Sequence, residues 1–300
     1  MPPPPESGHV PVLAEETLRL LDPKPGETWV DATTGGGGHS RLIAERIGST
    51  GRLFCLDQDP TTLAGAMARL AGFPVTPVHA NFDQLREVLG NLGVSKVDGV
   101  LADLGFSSEQ LDDPARGLSF RADGPLDMRL DPTAGQTAAD LVNTLSEGAL
   151  ADLIFEYGEE RKSRWVAKRI VARRTAKPFE TTADLAAVVR SCVPRSGHLD
   201  PATRTFQALR IAVNDELGSL ERLLATLPLI LNPGGRAGII SFHSLEDRRV
   251  KQAFKGDGWQ SRTKKPVEAT DAEAARNPRS RSAKLRVAEF APLSREGRGN

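Results

Sequence analysis

Four times between Thr28 and Asp103 the chain runs a short apolar stretch into a polar tip and then into a helical pattern. The apolar stretches are Thr28–Ala32, Arg52–Leu56, Val75–His79 and Val97–Ala102. Strands of that length alternating with amphipathic helices read as βαβ units, and therefore as a parallel sheet covered by helices. Ligands of such sheets gather outside the carboxyl ends of the strands. Asp31, Asp57, Phe82 and Asp103 all stand at those ends. Four tips in agreement carry more weight than any one of them.

The first tip is the most informative. Trp29-Val30-Asp31-Ala32-Thr33-Thr34 runs into Gly35, Gly36, Gly37 and Gly38, then into a helix opening at His39-Ser40. Glycines let backbone approach a ligand, and a helix N-terminus offers free N–H groups. A phosphate-binding loop needs Gly-Lys-Ser/Thr here, and a dinucleotide loop needs a glycine three positions after the second one. Ser40 and Arg41 occupy those positions. What remains is Asp-x-x-x-Gly-x-Gly on Asp31, Gly35 and Gly37, which resembles the first motif of S-adenosylmethionine-dependent methyltransferases; a glycine-rich surface turn is the plain alternative. Asp57 lies twenty positions past Gly37, where an acid suits the ribose hydroxyls of a nucleoside. Either Asp57 or Asp59 could instead cap the helix beginning Pro60-Thr61-Thr62; the reading here gives ribose to Asp57 and the cap to Asp59. Phe82 offers a flat face for adenine or is an ordinary core residue.

The next convincing strand, Arg236–Phe242, comes some 130 residues later, whereas a βαβ crossover takes about 30, so a large insertion is expected. Its first part, Gln110–Thr133, reads as an ordered loop. Helical patterns follow at Thr137–Leu145, Glu147–Tyr157, Glu159–Arg174 and Thr181–Val193. Asp200-Pro201 should open a helix from Ala202 to Leu231, broken near Pro228. Ser244 should cap a helix over Leu245–Phe254. Strands near Gly258–Arg262 and Lys284–Phe290 would complete seven, with an antiparallel edge, and residues 263–283 look mobile. The expected architecture is therefore α/β: a mostly parallel seven-stranded sheet in 1–112 and 208–300, interrupted by a helical domain in 113–207.

Charge is balanced overall, with 39 Lys and Arg against 39 Asp and Glu, so nothing global points to nucleic acid. Locally the balance breaks: residues 161–177 carry eight cations and no acid, and 245–300 carry 14 cations against 8 acids. The first run is either a solvated helix face or a phosphate-contacting one. Two distant cysteines, Cys55 and Cys192, indicate neither zinc site nor disulfide framework. No apolar run spans a membrane and the Pro2–Pro5 leader, read as an extended tail after which His9 leads into the first helix, is no signal peptide. A cytoplasmic location is expected.

Five segments together closely resemble one family, the bacterial 16S rRNA cytosine-N4 methyltransferases. They are Asp31–Ser40, Asp103–Asp113, Asp123–Arg129, Ala202–Ile211 and Ser241–Arg248. The resemblance runs from about His9 to Phe290. It implies a Rossmann-like class I methyltransferase fold, S-adenosylmethionine as cofactor, and methylation of the N4 amine of a decoding-centre cytosine in the assembled small ribosomal subunit. It places cofactor contacts on Gly37, Gly38, His39, Asp57, Phe82, Asp103 and Gln110. An exocyclic base amine is a poor nucleophile, so a group accepting its N–H helps; Asp103, the Leu104 carbonyl and Ser107 are candidates, while Asp103 could equally serve the cofactor alone. No metal is demanded. Arg161, Lys162, Arg164, Lys168, Arg204, Arg210, Arg279 and Arg281 could hold an RNA backbone. A homodimer is one admissible assembly. A non-catalytic ribosome-assembly factor keeping the fold is the competing reading, against which the complete set of tip residues argues. Asp200 and Phe106 depart from the family pattern, the latter bearing on the base pocket.

Overall fold

A computed structural model describes residues 11–195 and 199–292; the Pro2–Pro5 leader and His9 lie outside them. The chain divides into two compact units: residues 1–105 with 218–300, and residues 106–217. The helical unit thus takes in more residues at both ends than the 113–207 expected.

In the first unit the strands are β1 (Thr28–Asp31), β2 (Arg52–Asp57), β3 (Val75–His79), β4 (Val97–Asp103), β5 (Leu231–Ser241), β6 (Trp259–Ser261) and β7 (Lys284–Phe290). They form one sheet in the order β3-β2-β1-β4-β5-β7-β6. The first five are parallel and β7 runs antiparallel to both neighbours. Its first four helices are α1 (Ala14–Leu21), α2 (Gly38–Ile47), α3 (Pro60–Arg69) and α4 (Leu85–Asn91). Strand side chains alternate in direction, and the central strands β1, β2, β4 and β5 are apolar on both faces, as buried parallel strands are. Val30, Phe54, Val100 and Ile239 pack to one side, with Leu85 and Leu89 of α4. Trp29, Leu53, Leu101 and Ile240 pack to the other, with Leu21 of α1 and Ile43 and Ile47 of α2. Trp29 lies opposite Gly99 on β4, where a Cβ would stand 2.3 Å from the indole. A glycine in mid-strand is thereby explained.

The second unit is helical: α5 (Ser108–Asp112), α6 (Ala138–Thr144), α7 (Glu147–Gly158), α8 (Ser163–Arg174), α9 (Thr182–Cys192) and α10 (Thr203–Val213). Its core joins Val142, Leu150, Ile154, Val166, Ile170, Leu185 and Leu209. The loop before α6 is ordered, as its sequence suggests, because Leu118, Leu126, Met128 and Leu130 are buried. Arg116 also donates to the Arg129 and Leu130 carbonyls, at 3.1 and 2.8 Å.

Four expectations are corrected. The long helix after Ala202 breaks at Asn214–Asp215, while Pro228 sits inside α11 (Glu216–Ile230). Asp215 adopts φ 46°, and Asn214 accepts from Leu130 N–H at 2.7 Å and donates to Met128 O at 2.9 Å. Asp200 does not cap α10; its carboxylate accepts from Ala202 N–H at 2.9 Å and pairs with Arg190, and the helix starts at Thr203. Residues 263–283 are ordered. Thr270 caps α13 (Asp271–Arg276), Asn277 caps the turn Pro278–Ser282, and Val267 pairs with Leu285. The Glu273 carboxylate accepts from Leu13 N–H at 2.8 Å. The polar residues that look like those of a loop are caps. Likewise the residue before α12 (Ser244–Ala253) is His243, and Ser244 is the first helical residue.

Candidate active site

The sheet order sets the tips of β3, β2, β1 and β4 side by side. The chain reverses direction across the sheet between β1 and β4, the switch point at which parallel sheets bind ligands. Everything in this site belongs to the first unit.

Asp31 points into the protein. It is fully buried and its carboxylate accepts from the Ser40 hydroxyl at 2.6 Å and from Thr33 N–H at 3.2 Å. It ties the end of β1 to the first turn of α2, so the motif's acid shapes the loop. Burial raises its carboxyl to about 6, with the two hydrogen bonds opposing and Asp57 adding. Cys55 is buried beside it, its thiol pushed up to about 12 by burial, and therefore inert.

The glycines divide the work between them. Gly37 adopts φ 82°, and a Cβ there would stand 3.3 Å from Ala66 of α3. On Gly38 a Cβ would press on Pro11 at 3.1 Å. These two let the loop turn against its own protein. Gly35 is different: a Cβ there would meet only the Thr33 carbonyl at 3.9 Å, so its outer face is open. No side chain caps α2, and an uncapped helix start is where a ligand can take hydrogen bonds from backbone N–H groups. Asp57 holds the loop against β2: its carboxylate accepts from Gly35 N–H at 2.8 Å and from Asp59 N–H at 2.9 Å. Burial pushes its carboxyl up while those N–H groups hold it down. Asp59 caps α3, accepting from Thr61 and Thr62 N–H. Phe82 packs in the core among Val30, Phe54 and Leu85 and is 9% exposed.

Asp103 ends β4, and its N–H donates to the Thr33 hydroxyl at 2.6 Å, joining this tip to the glycine loop. Its Oδ1 is buried and has no hydrogen-bond partner among the described residues. Its Oδ2 lies 3.9 Å from Nε2 of the buried His39. Burial raises this carboxyl to about 7; Arg279 opposes, and the charges of Asp31 and Glu246 add to the rise. A buried, unpartnered carboxylate oxygen is expensive unless a ligand completes it. Sequence reasoning missed two neighbours here. Arg279, read as an RNA contact, acts on Asp103 through its charge. Just past the end of β5, whose Ile240 O accepts from Leu104 N–H at 2.9 Å, the His243 side chain is 9% exposed with Nε2 3.2 Å from a Glu246 oxygen. The only sequence signal for His243 was its place in the Ser241–Arg248 motif.

In the second unit, Ser107 and Gln110 form a capping box on α5. Ser107 Oγ accepts from Gln110 N–H at 3.1 Å and Gln110 Oε1 accepts from Ser107 N–H at 2.8 Å. The Ser-x-x-Gln spacing could have shown this. Of the predicted RNA contacts, Arg161, Lys162, Arg164, Lys168 and Arg204 are exposed, as is Arg281 in the first unit. Arg210 is not available: it makes a two-pronged ion pair with Glu216 at 2.6 and 2.8 Å and stacks over Phe106. Within the basic run, Arg174 turns inward onto the Val142 and Leu145 carbonyls. Arg173 pairs with Asp184 at 3.1 Å.

The MraW methylase family matches residues 6–291, nearly the whole chain. The chain belongs to the MraW methylase family. This methylase takes its methyl group from S-adenosylmethionine. The open face at Gly35, the uncapped start of α2 and the unpartnered Asp103 oxygen fit such a nucleoside-bearing cation. The Ribosomal RNA small subunit methyltransferase H of Sorangium cellulosum is 54% identical to it over 295 residues, covering 96% of this chain and 93% of that protein. The protein of the same name from Heliobacterium mobile is 47% identical over 309 residues, covering 95% and 99%. A solved rRNA methylase from Streptococcus thermophilus aligns over 94% of this chain and 97% of its own, at 9% identity and a TM-score of 0.45. Among the described residues no helix is long and apolar enough to cross a membrane.

Proposed function

We propose that this methylase transfers a methyl group to the N4 amine of a decoding-centre cytosine in 16S rRNA, acting on the assembled small ribosomal subunit. The observation that carries the reading is the unpartnered Asp103 oxygen at the β4 tip. The motifs that resemble the cytosine-N4 methyltransferases, and relatives named for the small-subunit rRNA, support the substrate. Bound at the tips, S-adenosylmethionine supplies an electrophilic methyl on a cationic sulfonium.

The chain's own residues then do three things. Gly35, Asp57 and the start of α2 orient the nucleoside part, Asp57 through whatever acceptor capacity its two backbone N–H bonds leave. Asp103 accepts an N–H of the target amine, which localises the nitrogen lone pair, and takes the proton once the new bond forms. A carboxyl raised to about 7 is matched to that task at neutral pH. Alignment and exclusion of water supply the rest, a contribution that can reach roughly 7–11 kcal/mol. Ser107 is a weaker acceptor than Asp103 because its oxygen already accepts from Gln110 N–H. Arg161, Lys162, Lys168 and Arg204 of the helical unit would hold the RNA backbone.

Nucleoside mass spectrometry of small-subunit rRNA incubated with labelled cofactor tests this directly. Labelled N4-methylcytidine with the wild-type chain, and its loss with Asp103→Ala, is expected. Label on any other nucleoside overturns the substrate assignment.

A further inference from the structure

The helical unit carries an aromatic that its own packing does not use. On α8, Ser163, Val166, Ala167 and Ile170 are buried, so the helix core is complete without Trp165. Trp165 lies on the opposite side, 48% exposed. The other two tryptophans are engaged: Trp29 is fully buried, and Trp259 packs between Phe254 and Phe290 at 5.0 and 5.6 Å. An indole left half in water forgoes burial that large aromatics ordinarily obtain.

Its surroundings are cationic. Lys168 and Arg169 follow one turn later, the positions that share a helix face with residue 165. Arg161 and Lys162 stand at the entrance to the helix. All four are exposed, and none makes an ion pair among the described residues. The nearest acid in sequence, Glu160, is buried and accepts from Lys162 N–H at 2.8 Å. Arg164 pairs with Asp152 at 2.8 Å, but both side chains are more than half exposed, where such a pair contributes little. α8 has no acid in its first turn and no side-chain cap. A protein partner covering an indole would favour apolar neighbours; here the neighbours are unpaired cations, and their charge complements phosphate.

We propose that Trp165 is a stacking platform for an unpaired base of RNA, with Arg161, Lys162, Lys168 and Arg169 holding the flanking phosphates. This rests on the rRNA reading above and narrows it: the helical unit would grip a single-stranded segment. Duplex RNA hides its base faces, whereas looped-out bases stack on aromatic side chains. The cations alone would bind both forms. The indole supplies the preference.

The test uses the full chain with an unstructured oligocytidylate of about 12 nucleotides, within the span of single-strand sites, and a duplex of equal length. Trp165→Ala should raise Kd for the single strand by about 5- to 150-fold, the range expected for loss of one stacked base, and barely change Kd for the duplex. Trp165→Phe should keep most of the affinity and Trp165→Leu should not. The salt dependence should be unchanged by Trp165→Ala but flattened by about one unit of slope in Lys168→Gln. Equal losses on single strand and duplex would overturn the proposal, as would full affinity in Trp165→Leu. So would Trp165 fluorescence that responds to phosphatidylglycerol vesicles and not to RNA. These readouts need no methyl transfer, so a wrong cytosine assignment would leave them intact, while failure here would leave the rRNA methylation assay standing.

Discussion

Asp103→Asn should make this protein more stable and less active at once, the first effect growing from about pH 4 and complete above about pH 7. The Asp103 carboxyl rises from 3.8 to about 7 on folding. One pKa unit corresponds to about 1.4 kcal/mol, so the full shift would be about 4 kcal/mol. Because 26% of the side chain reaches solvent, water screens part of this, and about 2–4 kcal/mol is the working range. Below pH 3.8 the carboxyl is protonated in both states and contributes no difference. Between 3.8 and about 7 the native state holds a proton that the unfolded chain has released, so stability falls as pH rises; above about 7 the whole penalty is present. Asparagine never ionises and lacks that slope. Urea unfolding of both chains without cofactor, at about pH 4.5 and about pH 8.5, should therefore show the variant gaining on wild type by about 2–4 kcal/mol at the higher pH and by much less at the lower. Methyl transfer by the variant should drop about 100- to 10,000-fold, the usual loss on removing a general base. A stability difference that is the same at both pH values, or a variant less stable at the higher one, would refute the account of Asp103 as a buried acid left unsatisfied for function.

Asp57→Ala should weaken S-adenosylmethionine binding by about 10- to 150-fold in calorimetry, since it removes a charged acceptor that also fixes Gly35 N–H, and such bonds are worth about 1.5–3 kcal/mol. Arg210→Ala should destabilise the helical unit by about 3–5 kcal/mol, because it leaves Glu216, 10% exposed, as a buried charge without its partner. Its salt slope for RNA should match wild type, which filter binding across a salt series would show; a flattened slope would return Arg210 to the RNA-contacting set.

The sheet was readable from sequence because each strand carries its own evidence. Val30, Phe54 and Val100 go to one side and Trp29, Leu53 and Leu101 to the other, so a doubly buried strand shows as a continuous apolar run between turn residues. The caps at Asp59 and Asp57's place beside the glycine loop follow from local spacing alone. What could not be read depends on partners distant in the chain. Asp31 resembles a ligand-facing acid until Ser40 is seen to claim its carboxylate. Arg210 counts as a surface cation until Glu216 and Phe106 close around it. The break at Asn214 is set by Met128 and Leu130, some 85 residues away, whereas Pro228 carries the stronger local signal and is tolerated. Residues 263–283 have a loop's composition, and it takes Leu13 and Leu285 to order them.

One property of the site emerges only from these partners taken together. Asp31, Asp57 and Asp103 stand on adjacent strand tips, and burial raises all three carboxyls, with Asp31 adding to the rise at Asp103 and Asp57 to the rise at Asp31. Stability alone would favour replacing or neutralising at least one of them. Only the charge of Arg279 opposes the rise at Asp103. Hydrogen bonds hold Asp31 and Asp57 within the protein, and Asp103 alone keeps an oxygen without a partner. Strand tips so arranged favour a positive charge near the unpartnered oxygen, as the proposed placement of a sulfonium beside an amine requires. The acids that shape the glycine loop thereby also tune Asp103, the acid to which the proposed mechanism gives the proton.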